Sequence, residues 1–132
     1  ETGRVRGGEH RRFACGAPGG HTPVVDAAGN IYPCIYFVGV PALHMGNVLR
    51  HDNDERAHRV LTELSRRLDV DALESCRGCG LRYLCAGGCP AMRVLTWDRP
   101  ELETMGEYAR ASSCAVSRTV TEKLLWHEVG RG

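Results

Sequence analysis

Apolar positions along the chain follow three different spacings, and each predicts a different element. Between residues 54 and 69, Ala57, Val60, Leu61, Leu64 and Leu68 recur at steps of three and four, the period of a single helix face. Asp52 or Asn53 stands where an N-cap side chain accepts the first free amides of that helix. Its arginines fall mostly on the opposite face and read as solvated surface rather than a nucleic-acid contact. From Thr22 to Phe37 the pattern is that of a β-hairpin: Thr-Pro-Val-Val-Asp, a turn at Ala27-Ala28-Gly29-Asn30, then Ile31 to Phe37. Gly29 supplies the positive φ such a turn often needs, and Pro33 marks an edge or irregular strand. Tyr32, Tyr36 and Phe37 read as packing residues. Further on, Pro90 to Trp97 predicts a short helix with the proline in its first turn, and Arg99 to Gly106 a polar loop. A C-terminal helix follows, capped by Ser112 or Ser113 with Cys114 at its start. Val116, Val120, Leu124 and His127 form its stripe, with Leu125 beside them. Residues 1–12 are polar, glycine-rich and aperiodic, and predict a flexible lead-in.

Together these elements predict a small α+β domain built from a β-hairpin, cysteine-rich metal-binding loops and two to three helices. A chain of 132 residues suffices for one domain and is too short for two substantial ones. The net charge of +1, with acids and bases interleaved, gives no electrostatic case for nucleic acid or an anionic membrane. No apolar run reaches bilayer-spanning length and no signal-peptide core opens the chain, so a cytoplasmic location is expected. None of the six histidines lies three or four residues from another, so a separate histidine metal site is not indicated.

The chemistry lies in the thiols. Cys76, Cys79, Cys85 and Cys89 fall within fourteen residues at spacings of two, five and three. The C-x-x-C turn aims two thiolates at one centre, and the glycines at 78, 80, 87 and 88 let the backbone fold tightly around a bulky group. Zinc and iron–sulfur clusters are the two candidates. Zinc ribbons usually present paired short-spaced knuckles; here the second pair is C-x-x-x-C and a Cys-Pro dipeptide closes the run, as in bacterial ferredoxins. That detail favours iron. Cys15, Cys34 and Cys114 bring the total to seven, an odd number that disfavours a disulfide-stapled secreted domain. Two four-iron clusters take four thiolates each, so seven would leave one iron open.

Cys15, Gly29, Cys34, Cys76, Cys79, Cys85, Cys89 and Cys114 resemble the seven-cysteine pattern of the SPASM domain, over roughly residues 13 to 120. That domain is the C-terminal auxiliary-cluster extension of many radical S-adenosylmethionine enzymes that modify peptides. The resemblance implies a SPASM domain over 13–132, with a hairpin half at 13–50, a linking helix at 54–69, and a cysteine-rich loop with C-terminal helix at 75–127. It implies two [4Fe-4S] clusters, with Cys76, Cys79, Cys85 and Cys114 holding auxiliary cluster II and Cys15, Cys34 and Cys89 holding auxiliary cluster I. Phe37-Val38-Gly39 and Gly46-Asn47-Val48 are similar to the stretch after this cysteine in maturases of ribosomally made peptides, which implies a peptide substrate. His44 and Met45 are then packing or loop residues.

The chain departs from part of that family, since no cysteine precedes Cys15 near Glu9 to complete cluster I. Glu9 or His10, water, or a group on the substrate peptide is left to close the open iron. Gly7-Gly8-Glu9 matches a cofactor-binding triplet of the radical barrel, but it lies six residues from Cys15 with no barrel around it and reads as coincidence. Radical initiation needs C-x-x-x-C-x-x-C; the single C-x-x-x-C, Cys85 to Cys89, is followed by Met92 where the third cysteine belongs. The chain is therefore expected to be inactive alone. S-adenosylmethionine would enter only through a barrel domain, in the same longer polypeptide or in trans. The alternative is a zinc-binding structural or peptide-binding module without redox function.

Overall fold

The structure, a computed structural model, describes residues 11–50, 54–97 and 99–131. Glu9, His10, the Gly7-Gly8-Glu9 triplet and the proposed helix caps Asp52 and Asn53 lie outside the described residues. Arg12 lies within them and is tied to the fold: its carbonyl accepts the Val70 amide at 3.1 Å and its guanidinium pairs with Asp69.

The hairpin forms around Asp26. One carboxylate oxygen accepts the amides of Ala28 and Asn30, each at 2.9 Å, and the other accepts Asn30 Nδ2 at 2.9 Å, so one side chain closes the turn. Gly29 adopts φ +83°, and a Cβ there would stand 3.1 Å from Asn47 Oδ1 and 3.2 Å from Val48 Cγ2. Strands β1 (Val24–Val25) and β2 (Asn30–Tyr32) pair antiparallel, with Val24 opposite Tyr32.

The hairpin is shorter than the expected Thr22-to-Phe37 span. After Tyr32, Pro33 has no N–H to continue the ladder, and the Cys34 carbonyl accepts the Phe37 amide at 3.0 Å to start a 3₁₀ turn, Ile35–Phe37. That turn buries Phe37 completely. Tyr32 and Phe37 pack as expected; Tyr36, at 63% exposure, does not.

A second 3₁₀ turn, Pro41–Leu43, returns the chain to a third strand that the sequence did not predict, β3 (Gly46–Asn47), paired antiparallel to β2. Asn47 Nδ2 donates to Ala28 O at 2.9 Å and Asn30 Oδ1 at 3.0 Å, clipping β3 to the hairpin turn. His44 packs edge-on to Tyr32 and Met45 is buried, as expected of packing residues.

Helix α1 (Asp54–Leu68) has the expected inner face: Leu64 and Leu68 are buried and Val60 packs beside them. Three single-turn helices follow, α2 (Glu74–Arg77), α3 (Arg82–Cys85) and α4 (Ala91–Val94), the last entered from Pro90. One core joins sheet, α1 and α4: Tyr32, Phe37, Leu43, Leu64, Leu68, Ala91 and Val94, with Cys34 packed at its edge. Full burial of side chains such as Phe37 and Leu64 contributes about 1.5–3 kcal/mol each. Arg67 stacks its guanidinium 3.6 Å from the Trp97 ring centroid, a further tie between α1 and the end of α4. The architecture is thus a small mixed α+β fold.

The C-terminal helix departs most from expectation. Helix α5 runs Glu103–Val129, so residues 103–106 of the expected polar loop are helical. Cys114 lies mid-helix, and Ser112 and Ser113 are interior rather than capping. Gly106, the last residue of the expected loop, is instead buried at the crossing with the end of α4, where a Cβ would lie 2.5 Å from Thr96 Cγ2. Val116, Val120, Leu124 and Leu125 are exposed, so the expected stripe does not pack the tail against the rest of the fold. No helix among the described residues is long and apolar enough to cross a membrane.

Candidate metal centre

The cysteine-rich segment forms a chain of tight turns that present sulfur. Cys76 sits on α2, and the Cys79 amide bonds to the Cys76 carbonyl at 2.9 Å, closing the C-x-x-C knuckle. Cys85 ends α3. There Ala86, Gly87 and Gly88 take φ of 51°, 81° and 75°, three consecutive left-handed residues that reverse the chain and bring Cys89 back to Pro90. Only the glycines enter this region without strain. A Cβ on Gly87 would also stand 2.6 Å from Leu73 Cδ1.

Helix α5 crosses over this segment and adds Cys114. Cys76, Cys79, Cys85, Cys89 and Cys114 therefore line one cavity of about 60 Å³. One water needs roughly 10–15 Å³ by the same measure, so the thiols surround space for a group of several atoms. All seven cysteines are unbridged. Among the described residues, no three His, Cys, Asp or Glu side chains converge on a point where one metal ion would sit.

The structure gathers Cys89 with the four thiols expected to form a set of their own. Cys15, exposed, and Cys34, half-buried at the edge of the hydrophobic core, lie outside this cavity. Of the three residues expected to hold cluster I, Cys89 alone lines this cavity.

Arginine supplies the electrostatics, and no carboxylate among the described residues lines the cavity. Arg93 Nη2 donates to Cys76 Sγ at 3.7 Å, while its other nitrogens donate to Gly87 O at 3.2 Å and Ser75 Oγ at 3.4 Å. Arg118 Nη2 donates to Cys79 Sγ at 3.9 Å. The hydrogen bond to Cys79 and the nearby charges of Cys79 and Cys114 hold the Arg118 guanidinium above its usual value. Neither arginine was singled out from sequence, although a signal existed: Arg93 and Arg118 each follow a cysteine, Cys89 and Cys114, by four residues, one helical turn.

Donor chemistry and charge fit a thiolate-bound, anionic polynuclear group. Five soft sulfur donors face a shared space, cations surround it, and two charge-assisted hydrogen bonds already point at sulfur. No protein-family model matches the chain, and comparisons with curated proteins and with solved structures return no match.

Proposed function

We propose that this chain is a SPASM-like auxiliary-cluster domain serving a radical S-adenosylmethionine enzyme that modifies a ribosomally made peptide. The observation that carries the reading is the single cavity lined by five thiols and by no carboxylate. A mononuclear zinc site would bring its ligands to one point. Thiols standing apart around a space suit a group whose several metal atoms each take one ligand.

In this reading Cys76, Cys79, Cys85 and Cys114 hold auxiliary cluster II, and Cys15, Cys34 and Cys89 hold auxiliary cluster I. Glu9, His10, water or a substrate group closes the remaining iron. Such clusters supply one-electron transfer and, at an open iron, a place for a substrate ligand. The protein's part is to fix the thiolates and place positive charge beside them. Helix α5 does the first by laying Cys114 across α3, and Arg93 and Arg118 do the second. The barrel that starts the radical chemistry, with its S-adenosylmethionine, is the partner. The reaction belongs to the cytoplasm, where thiols stay reduced.

The test is iron and acid-labile sulfide per chain after anaerobic reconstitution, read with the visible absorbance of thiolate-to-iron transitions. About eight of each is the expected result for two clusters. About four would leave the five-thiol cavity as the one loaded site and remove the Cys15–Cys34–Cys89 assignment. Stoichiometric zinc in place of iron would overturn the redox reading in favour of a structural module.

A further inference from the structure

Four guanidinium groups line the thiol cavity, and they divide into two kinds. Arg82 Nε lies 3.5 Å from Asp71 Oδ1, and Arg110 Nη2 lies 3.8 Å from Glu103 Oε1, so each has a carboxylate partner. Arg93 and Arg118 form no such ion pair among the described residues, and they are the two whose N–H groups reach sulfur. Glu122, four residues on, acts on Arg118 only at longer range, so the two cations without a direct carboxylate contact are those aimed at the thiols. They come from different elements, Arg93 from α4 onto Cys76 and Arg118 from the middle of α5 onto Cys79.

We propose that Arg93 and Arg118 are redox-tuning residues that raise the reduction potential of the group held by Cys76, Cys79, Cys85 and Cys114. This rests on the cluster reading above. Reduction adds one electron to the thiolate-bound group, and part of that charge appears on its sulfur ligands. A guanidinium at a sulfur stabilises the reduced form more than the oxidised form, through its positive charge and a hydrogen bond that shortens as sulfur becomes more negative. Arginine stays charged at any working pH, so the bias is permanent. Arg93 also ties Ser75 and Gly87 together, so its removal mixes tuning with loop geometry. Arg118 lies exposed on α5 with Cys79 Sγ as its hydrogen-bond acceptor, which makes it the cleaner probe.

The experiment is an anaerobic dithionite titration of the reconstituted full chain and of R118K, R118Q and R118E. The reduced state is followed by electron paramagnetic resonance, with iron and sulfide measured on every sample. Iron content should match the parent throughout, and the potential should fall in the order Arg, Lys, Gln, Glu. Loss of the charge in R118Q should lower the reduced-to-oxidised ratio at fixed potential about tenfold, which is about 59 mV for one electron. R93K should keep more of the parent potential than R93Q. A flat series with iron intact overturns the tuning role and leaves the cluster reading standing. Lysine as damaging as glutamine, or iron lost in R118Q, would assign Arg118 to positioning or retention instead. Absence of iron in the parent itself would overturn the cluster reading, and the tuning role with it.

Discussion

Asp26 closes the hairpin turn with a carboxylate that must be ionised to accept its bonds fully. The Asn30 side-chain hydrogen bond, then the Asn30 amide, hold its pKa below the ordinary 3.8, against a smaller desolvation effect. A depressed folded-state value means the contribution is fully present above the unfolded value and is lost as pH falls through the folded one. Asp26→Ala should therefore lower the melting temperature most near neutral pH, and the gap to the parent should narrow below about pH 4. A gap independent of pH would show that the carboxylate's charge is immaterial to the turn. A second contrast lies between two cysteines. Cys79 lines the five-thiol cavity and receives Arg118, whereas Cys15 is an exposed loop residue outside it. Cys79→Ala should empty that cavity and destabilise the whole domain. Cys15→Ala should cost about half of the bound iron and little stability. Iron analysis with thermal melts separates the two, and loss of both clusters in Cys15→Ala would contradict the assigned division.

Among the elements, those with a local chemical cause were legible. Helix α1 carries its apolar face at helical spacing, the hairpin has its Asp26-to-Asn30 turn, and Pro90 opens α4. Strand β3 was not legible, because its two residues, Gly46 and Asn47, show no alternation. What seats it is a side-chain bond from Asn47 to Ala28 across nineteen residues of sequence. The start of α5 lay in the expected polar loop for a related reason, since Gly106 is locally a poor helix former while its value here is spatial. The site followed the same pattern. Cysteine spacing revealed the thiol cluster, but the sharing of one cavity by Cys89 and Cys114 and the arginines that line it depend on how α4 and α5 cross the loop. Gly106 offers a test of that crossing. In an isolated helix, Gly→Ala would be favourable by about 1 kcal/mol. Here the added Cβ would meet Thr96 Cγ2 at 2.5 Å and Thr96 Oγ1 at 3.0 Å. G106A should instead destabilise by about 1–3 kcal/mol in denaturant unfolding. T96S, which removes the closest atom, should restore part of that loss. Stabilisation by G106A would mean that α5 does not press on α4 as described.

At the scale of the whole molecule, apolar burial and thiol chemistry occupy different stretches of one chain. From Asp71 to Cys89 the only buried hydrophobic residue is Ala86, whereas the segments on either side supply Leu64, Leu68, Ala91 and Val94 to the common core. The intervening loop cannot be ordered by hydrophobic burial. Its backbone is nevertheless highly specific, with three left-handed residues in succession, of which Ala86, the one that is not glycine, carries a conformational cost. In the proposed cluster-bound form, metal–thiolate bonds add to what orders it, since binding energy at a thiolate site is folding energy. The loop also links α1 to α4, so its loss of order should loosen α4 and α5 and leave the sheet and α1 with a reduced core. Removal of metal by chelator under reducing conditions should therefore unfold the molecule unevenly. Amides at Cys79, Cys85, Ala86 and Gly88, all hydrogen-bonded in the folded loop, should exchange at nearly unfolded rates. Those of Phe37, Leu43 and Met45 should keep measurable protection, because their partners lie within the hairpin half. Hydrogen exchange resolved by residue reads both groups in one experiment. Uniform protection with and without metal would show that the loop holds its own shape. Uniform loss would show that the sheet and α1 cannot stand without the metal centre, making the whole chain one metal-dependent folding unit.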